Sequence, residues 1–156
     1  MSIPVTRLNH AVLYVRNLDH AVAFYEQAFG FEEIAREGGR MAFLRAAGST
    51  NHHDLGLMEV GEQAPSPAQG ATGLYHLAWE VPGIDDLAAA RDILIALDAM
   101  VGESDHGATK SLYGRDPDGN EFEVMWMLPR AEWGEYDRRA VVMPLRLEQE
   151  MARRRG

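Results

Sequence analysis

Two histidines and one carboxylate carry the chemistry that is most legible in this chain. His10 lies in Leu8-Asn9-His10-Ala11-Val12-Leu13-Tyr14-Val15 and His76 in Leu74-Tyr75-His76-Leu77-Ala78-Trp79-Glu80-Val81, 66 residues apart in matching contexts. Glu123 lies in Glu121-Phe122-Glu123-Val124-Met125-Trp126-Met127. In each of these runs apolar residues recur at every second position, the period of a half-buried strand. His10 falls on the face of Val12 and Tyr14, opposite Leu13 and Val15, and Glu123 falls opposite Phe122, Val124 and Trp126. Taken singly, a strand histidine is more often a hydrogen-bonded core residue, and a glutamate near a turn is more often solvated. The repeat favours a joint role, because it places both histidines at equivalent points of two similar modules. Two imidazoles and a carboxylate facing one cavity need a compensating partner, since burying unpaired ionisable groups is costly. A divalent metal is such a partner, and two His with one carboxylate is the facial triad favoured by non-haem Fe(II).

The elements that must position these residues follow from the same repeat. After each first strand comes an aspartate and a helical pattern: Asp19 is read as an N-cap before Ala21, Val22, Tyr25, Ala28 and Phe29, and Gly30 as the C-cap glycine. In the second copy Asp85 is read as the cap, with Leu87, Ala90, Leu94 and Leu97 as the apolar stripe. Short strands follow at 31–37, 41–45 and 53–60, and again at 100–103, 111–115 and 121–127, with Gly38-Gly39 and Pro117-Asp118-Gly119-Asn120 as turns. Each copy reads β-α-β-β-β. The expected fold class is α+β: two such modules forming curved mixed sheets around a metal-binding cavity, with helices outside. The expected organisation is a single domain over 1–128, with module one at 5–60, a linker at 61–73 and module two at 74–128. A C-terminal tail follows at 129–156, in which Leu145–Arg155 is read as a short helix.

Bulk properties narrow the partners. The chain has 156 residues and a formal net charge of −9, which argues against nucleic acid and against an anionic membrane surface. It has no cysteine, so disulfides, thiolate metal sites and a cysteine nucleophile are excluded. The first residues lack the apolar core of a signal peptide, and no apolar run approaches a membrane span, so a cytoplasmic protein is expected.

The paired modules, the two first-strand histidines and the ending Asp116-Pro117-Asp118-Gly119-Asn120-Glu121-Phe122-Glu123 resemble the vicinal oxygen chelate superfamily. The resemblance covers the chain to about Leu128 and is closest to catechol 2,3-dioxygenase-like extradiol enzymes. Three stretches carry the closer match: His53-Asp54-Leu55-Gly56-Leu57, Asp105-His106-Gly107, and Ser111 to Asn120 with Tyr113 ten residues before Glu123. The resemblance implies Fe(II) on His10, His76 and Glu123, with Mn(II), Ni(II) or Zn(II) as other occupants. It implies His53 as the acid–base histidine and Tyr113 as a hydrogen-bonding group, both near the oxygens of an aromatic diol that is cleaved with O2. It also implies a homodimer. The superfamily further contains glyoxalase-like isomerases and lyases with a fourth protein ligand, for which Glu59 is the candidate here, and non-catalytic resistance proteins that sequester an aromatic ligand or antibiotic. Gly114 departs from the family pattern, in which a bulky residue is common. His52 and His20 are read as solvated, and His106 as a residue of a loop that could act as a lid.

Overall fold

The computed structural model describes residues 2–68 and 70–155. The chain divides into two compact units, Met1–Ser66 and Pro67–Gly156. The boundary falls inside the Pro- and Gly-containing stretch read as a linker.

In the first unit the order is β1 (Ala11–Val15), α1 (Leu18–Phe29), β2 (Glu32–Glu37), β3 (Met41–Arg45) and β4 (Leu55–Glu59). The sheet order is β1-β4-β3-β2. β1 runs parallel to β4, and the other pairs are antiparallel. The parallel pair forms because the chain crosses over through α1 and two further strands before returning beside β1. Leu13 and Val15 are buried while Val12 and Tyr14 are exposed, as the alternation requires. The buried side of the sheet meets α1 through Leu18, Ala21, Val22, Phe24 and Tyr25. Tyr25 stacks on Phe29 and Phe31, with ring centroids 5.7 and 6.4 Å apart.

α1 begins one residue before the expected cap. Asn17, in extended backbone, accepts a hydrogen bond from the His20 N–H on its side chain, so Asn17 is the N-cap and Asp19 lies in the first turn. The first-turn aspartate still suits the positive end of the helix dipole. Gly30 closes the helix at φ 63°, where its N–H reaches the Glu26 carbonyl.

In the second unit the order is β5 (Leu77–Glu80), α2 (Ile84–Ala96), β6 (Met100–Asp105), β7 (Thr109–Arg115) and β8 (Glu121–Met127). The sheet order β5-β8-β7-β6 repeats that of the first unit strand for strand. Here too the cap is displaced: α2 starts after Gly83, and Asp85 is in its first turn. Phe122, Val124 and Trp126 are buried with Leu87 and Leu94 of α2. The β7–β8 turn is held by Asp116, whose carboxylate accepts from the N–H groups of Asp118 and Asn120 and from the Asn120 amide.

The tail is built rather than loose. Two 3-10 turns, Arg130–Glu132 and Gly134–Asp137, lead to an extended stretch and then to α3 (Leu147–Arg155). Leu145 and Leu147 are buried, and Arg91 of α2 pairs with Glu148 of α3 at 2.5 Å. Two arginines of α3 are engaged within the unit. Arg154 pairs with Glu132 and Glu150 and lies over Trp126, and Arg155 pairs with Asp85. Among the described residues no helix is long and apolar enough to cross a membrane.

Among the described residues the chain is α+β, with two four-stranded mixed sheets and three α-helices.

Candidate functional site

His10 and His76 each stand one residue before their strand, β1 and β5. In the first unit the His10 Nδ1 lies 3.0 Å from the Asn9 side-chain oxygen. An amide oxygen only accepts, so Nδ1 carries the proton and Nε2 of the neutral ring keeps its lone pair. Asn9 is itself held by Asn51, which accepts from the Asn9 amide and donates to the Asn9 carbonyl. His53 packs beside His10 with ring centroids 4.5 Å apart, and against the edge of Phe43 at 4.9 Å. Burial, and then the neighbouring rings of His10 and His52, push the His53 imidazole below the usual histidine range. His53 is therefore suited to accept a proton near neutral pH rather than to arrive already charged. His52 is exposed and lies 3.1 Å from His53, Nδ1 to Nδ1.

The loop that presents His53 is fixed by its neighbour. Asp54 accepts from the Ala46 N–H, the Ser49 hydroxyl and the Asn51 amide. Burial raises the Asp54 carboxyl, and these hydrogen bonds outweigh that and hold it below the usual aspartate value. Asn9, Asn51 and Asp54 thus position His10 and His53. In sequence Asn9 and Asp54 fall in runs read as strand and Asn51 just outside one; the signal that sets them apart is their place beside a histidine or in a polar turn.

In the second unit the His76 Nε2 lies 3.0 Å from a Glu123 carboxylate oxygen. β5 pairs with β8 so that Ala78 stands beside Glu123, and β7 places Tyr113 on its other side. The small Ala78 leaves room for the carboxylate to reach His76. The Tyr113 ring is 5.7 Å from that of His76. Burial, and then the Glu123 charge, push the Tyr113 hydroxyl above its ordinary value, so it remains protonated. Its oxygen lies 2.7 Å from the His106 Nε2. The structure thus joins Glu123, His76 and Tyr113 in one unit and His10 and His53 in the other. Among the described residues, no group of three or more His, Asp or Glu side chains is gathered as a metal site.

The donor chemistry of the second unit fits a divalent ion. An imidazole nitrogen and a carboxylate oxygen converge within hydrogen-bond distance, and the other His76 nitrogen, Nδ1, is buried without a hydrogen-bond partner. A proton on Nε2 satisfies the contact but leaves Nδ1 a buried lone pair; with the proton on Nδ1 two lone pairs face each other, and a cation between them would accept both.

Glu59 is corrected by the same topology. Its register partner is Val15, on the helix side of the sheet, and its carboxylate accepts from the Leu18 N–H at the start of α1, 3.0 Å away. β4 begins only at Leu55, so strand alternation does not relate Glu59 to His53. The repeat gives a different equivalent. Val12 corresponds to Ala78; Ala78 stands beside Glu123, and Val12 stands beside Gly56. Where the second unit carries a carboxylate, the first carries glycine.

The profile of the Glyoxalase/Bleomycin resistance protein/Dioxygenase superfamily matches residues 7–124. The chain belongs to this superfamily. It is 33% identical over 132 residues to the catechol-2,3-dioxygenase of Bacillus subtilis (strain 168), covering 82% of this chain and 44% of that protein. It is 30% identical over 145 residues to the manganese-dependent 2,3-dihydroxybiphenyl 1,2-dioxygenase of Geobacillus genomosp. 3, covering 88% of this chain and 42% of that one. The chain thus spans less than half the length of these two relatives. Among solved structures it resembles a lactoylglutathione lyase from Agrobacterium tumefaciens, with TM-score 0.59 and 26% identity over 80% of this chain and 96% of that one. The α+β architecture is that of the superfamily.

Proposed function

We propose that the protein is an Fe(II)-dependent extradiol dioxygenase that opens the ring of a catechol-type aromatic diol with O2. His10, His76 and Glu123 would be the metal ligands. The observation that carries this reading is the carboxylate count. Glu123 has no counterpart in the first unit, where Gly56 stands, and Glu59 is engaged at the start of α1. The available set is then two histidines and one carboxylate, which leaves coordination positions open for a chelating diol and O2. The dioxygenase relatives support the same choice. The isomerase or lyase alternative would need a fourth ligand other than Glu59, which is engaged by the Leu18 N–H.

When bound, Fe(II) would bring diol and O2 together and allow electron transfer between them. Zn(II) could occupy the same ligands but offers no accessible redox change. The chain's own residues do the rest. His53, held neutral by burial beside His10, takes a proton from a substrate hydroxyl and returns it as the ring opens. A group in that role contributes roughly 10²–10⁴ in rate. Tyr113, protonated beside Glu123, orients a substrate oxygen through its hydroxyl. Homodimer formation is part of the proposal.

The test is metal analysis of anaerobically purified protein together with O2 uptake on a panel of catechols. His10→Ala, His76→Ala and Glu123→Ala are each expected to lose metal while keeping the fold, and iron but not zinc protein is expected to consume O2. Full metal occupancy in any one variant removes that residue from the set. Absence of O2 uptake by the iron form across the panel refutes the dioxygenase reading.

A further inference from the structure

Among the hydrogen bonds between the tail and the Tyr113 end of the second unit, one to a side chain has its direction fixed by chemistry. The His106 Nδ1 lies 2.9 Å from the Val141 carbonyl oxygen. A carbonyl has no proton to give, so Nδ1 must carry one. In the neutral ring Nε2 is then an acceptor, and the hydroxyl 2.7 Å away on Tyr113 must be its donor. The stretch that supplies the carbonyl is pinned at several points. Asp105 and Met143 form a two-bond antiparallel bridge, with the Asp105 N–H to the Met143 carbonyl at 2.8 Å and the Met143 N–H to the Asp105 carbonyl at 2.9 Å. The Tyr136 ring occupies the space that a side chain on Gly107 would need. Leu145 and Leu147 are buried just beyond.

We propose that the segment after β8 is a positioning element: the Val141 carbonyl holds His106 in its Nδ1–H form, and His106 in turn takes the Tyr113 hydroxyl proton as a hydrogen bond. The consequence, which rests on the dioxygenase reading, is a polarity. Tyr113 has a single proton and spends it on His106, so toward a substrate it offers only a lone pair. It accepts from a diol hydroxyl that is still protonated, while His53 serves the hydroxyl that loses its proton. His106 touches no reacting atom in this scheme; it acts through Tyr113.

The first test reads the ring directly and needs neither metal nor turnover. In the full chain labelled with 15N-histidine, His106 is expected as the neutral Nδ1–H tautomer, and Tyr113→Phe is expected to leave it so, because the Val141 bond persists. Met143→Pro removes one bond of the Asp105 bridge and should release His106 toward the Nε2–H form. An Nε2–H ring in the wild-type protein, or a tautomer indifferent to Met143→Pro in a folded variant, overturns the proposal. The second test stands if Met143→Pro does not fold. Tyr113→Phe and His106→Leu should each slow turnover of the iron enzyme about three- to tenfold, the range for one hydrogen bond. The double variant should be no slower than either, and His106→Gln, whose amide oxygen can accept from Tyr113, should recover part of the rate. Multiplying effects in the double variant overturn the proposal. If no catechol is turned over at all, the dioxygenase reading fails while the tautomer measurement still decides the role of the tail.

Discussion

Replacing Glu59 with Ala separates a helix-positioning carboxylate from a metal ligand. Glu59 accepts the Leu18 N–H at 3.0 Å in a part-buried setting, at the end of α1 where backbone donors lack partners. Loss of a side-chain acceptor at a helix N-terminus costs about 0.5–2 kcal/mol. Loss of a negative charge there costs about 0.3–1 kcal/mol at an exposed site. The two describe overlapping physics and do not add in full, so the expected destabilisation is about 1–2 kcal/mol. For a chain of this size each kcal/mol lowers Tm by roughly 2–4 °C, giving a fall of about 2–8 °C. Thermal unfolding followed by circular dichroism reads the stability. Metal analysis after anaerobic reconstitution reads the ligand role. Glu59→Ala is expected to bind iron with wild-type stoichiometry and to consume O2 normally below its transition. Loss of metal with unchanged Tm would refute the argument and return Glu59 to the metal shell.

Asp54→Ala should cost about 2–3 kcal/mol, because three donors lose a charged acceptor. The pH dependence follows from the lowered native value. The Asp54 contribution is fully present above the ordinary aspartate value of 3.8 and is lost as pH falls through the lower native one. Urea titrations of wild type and Asp54→Ala at pH 7 and in the acid range should therefore converge only at the acid end. Gly114→Ala should cost about 1–3 kcal/mol, since its methyl would collide with the buried Phe122 ring and approach the Ala99 carbonyl. Phe122→Ala should relieve that collision, so the double variant should fall short of the summed single costs in the same urea assay.

The sheets and helices were readable because periodicity reports burial. Leu13 and Val15 in β1, and Phe122, Val124 and Trp126 in β8, alternate in sequence and are buried in the structure. The helix starts were read two residues late at Asn17 and at Gly83, because an aspartate in the first turn and an N-cap look alike in sequence. The engagement of Glu59 at the start of α1 is not legible in sequence, because its partner is a backbone N–H, that of Leu18. Ligand candidates were legible through the repeat, yet the bonds that aim them were not. The partner of His106 is a backbone carbonyl, and every residue has one. Val141 also lies in a segment with no repeat copy to compare. Gly114, unusual in sequence, is explained by Phe122, whose ring fills the place of the missing side chain.

The bare position at Gly56 bears on how this chain could change its trade. A single substitution to glutamate would put a second carboxylate at the repeat-equivalent point, opening the route to a four-ligand site. A β-carbon there would meet the Val12 methyl at 3.1 Å, closer than such atoms usually come, so the Val12 side chain must shift by a few tenths of an ångström before the new acid can settle. Trimming Val12 first costs little, because that side chain is 48% exposed. The reverse order passes through a crowded intermediate. The accessible path between the proposed three-ligand set and a four-ligand one therefore has a direction, set by one valine that belongs to neither.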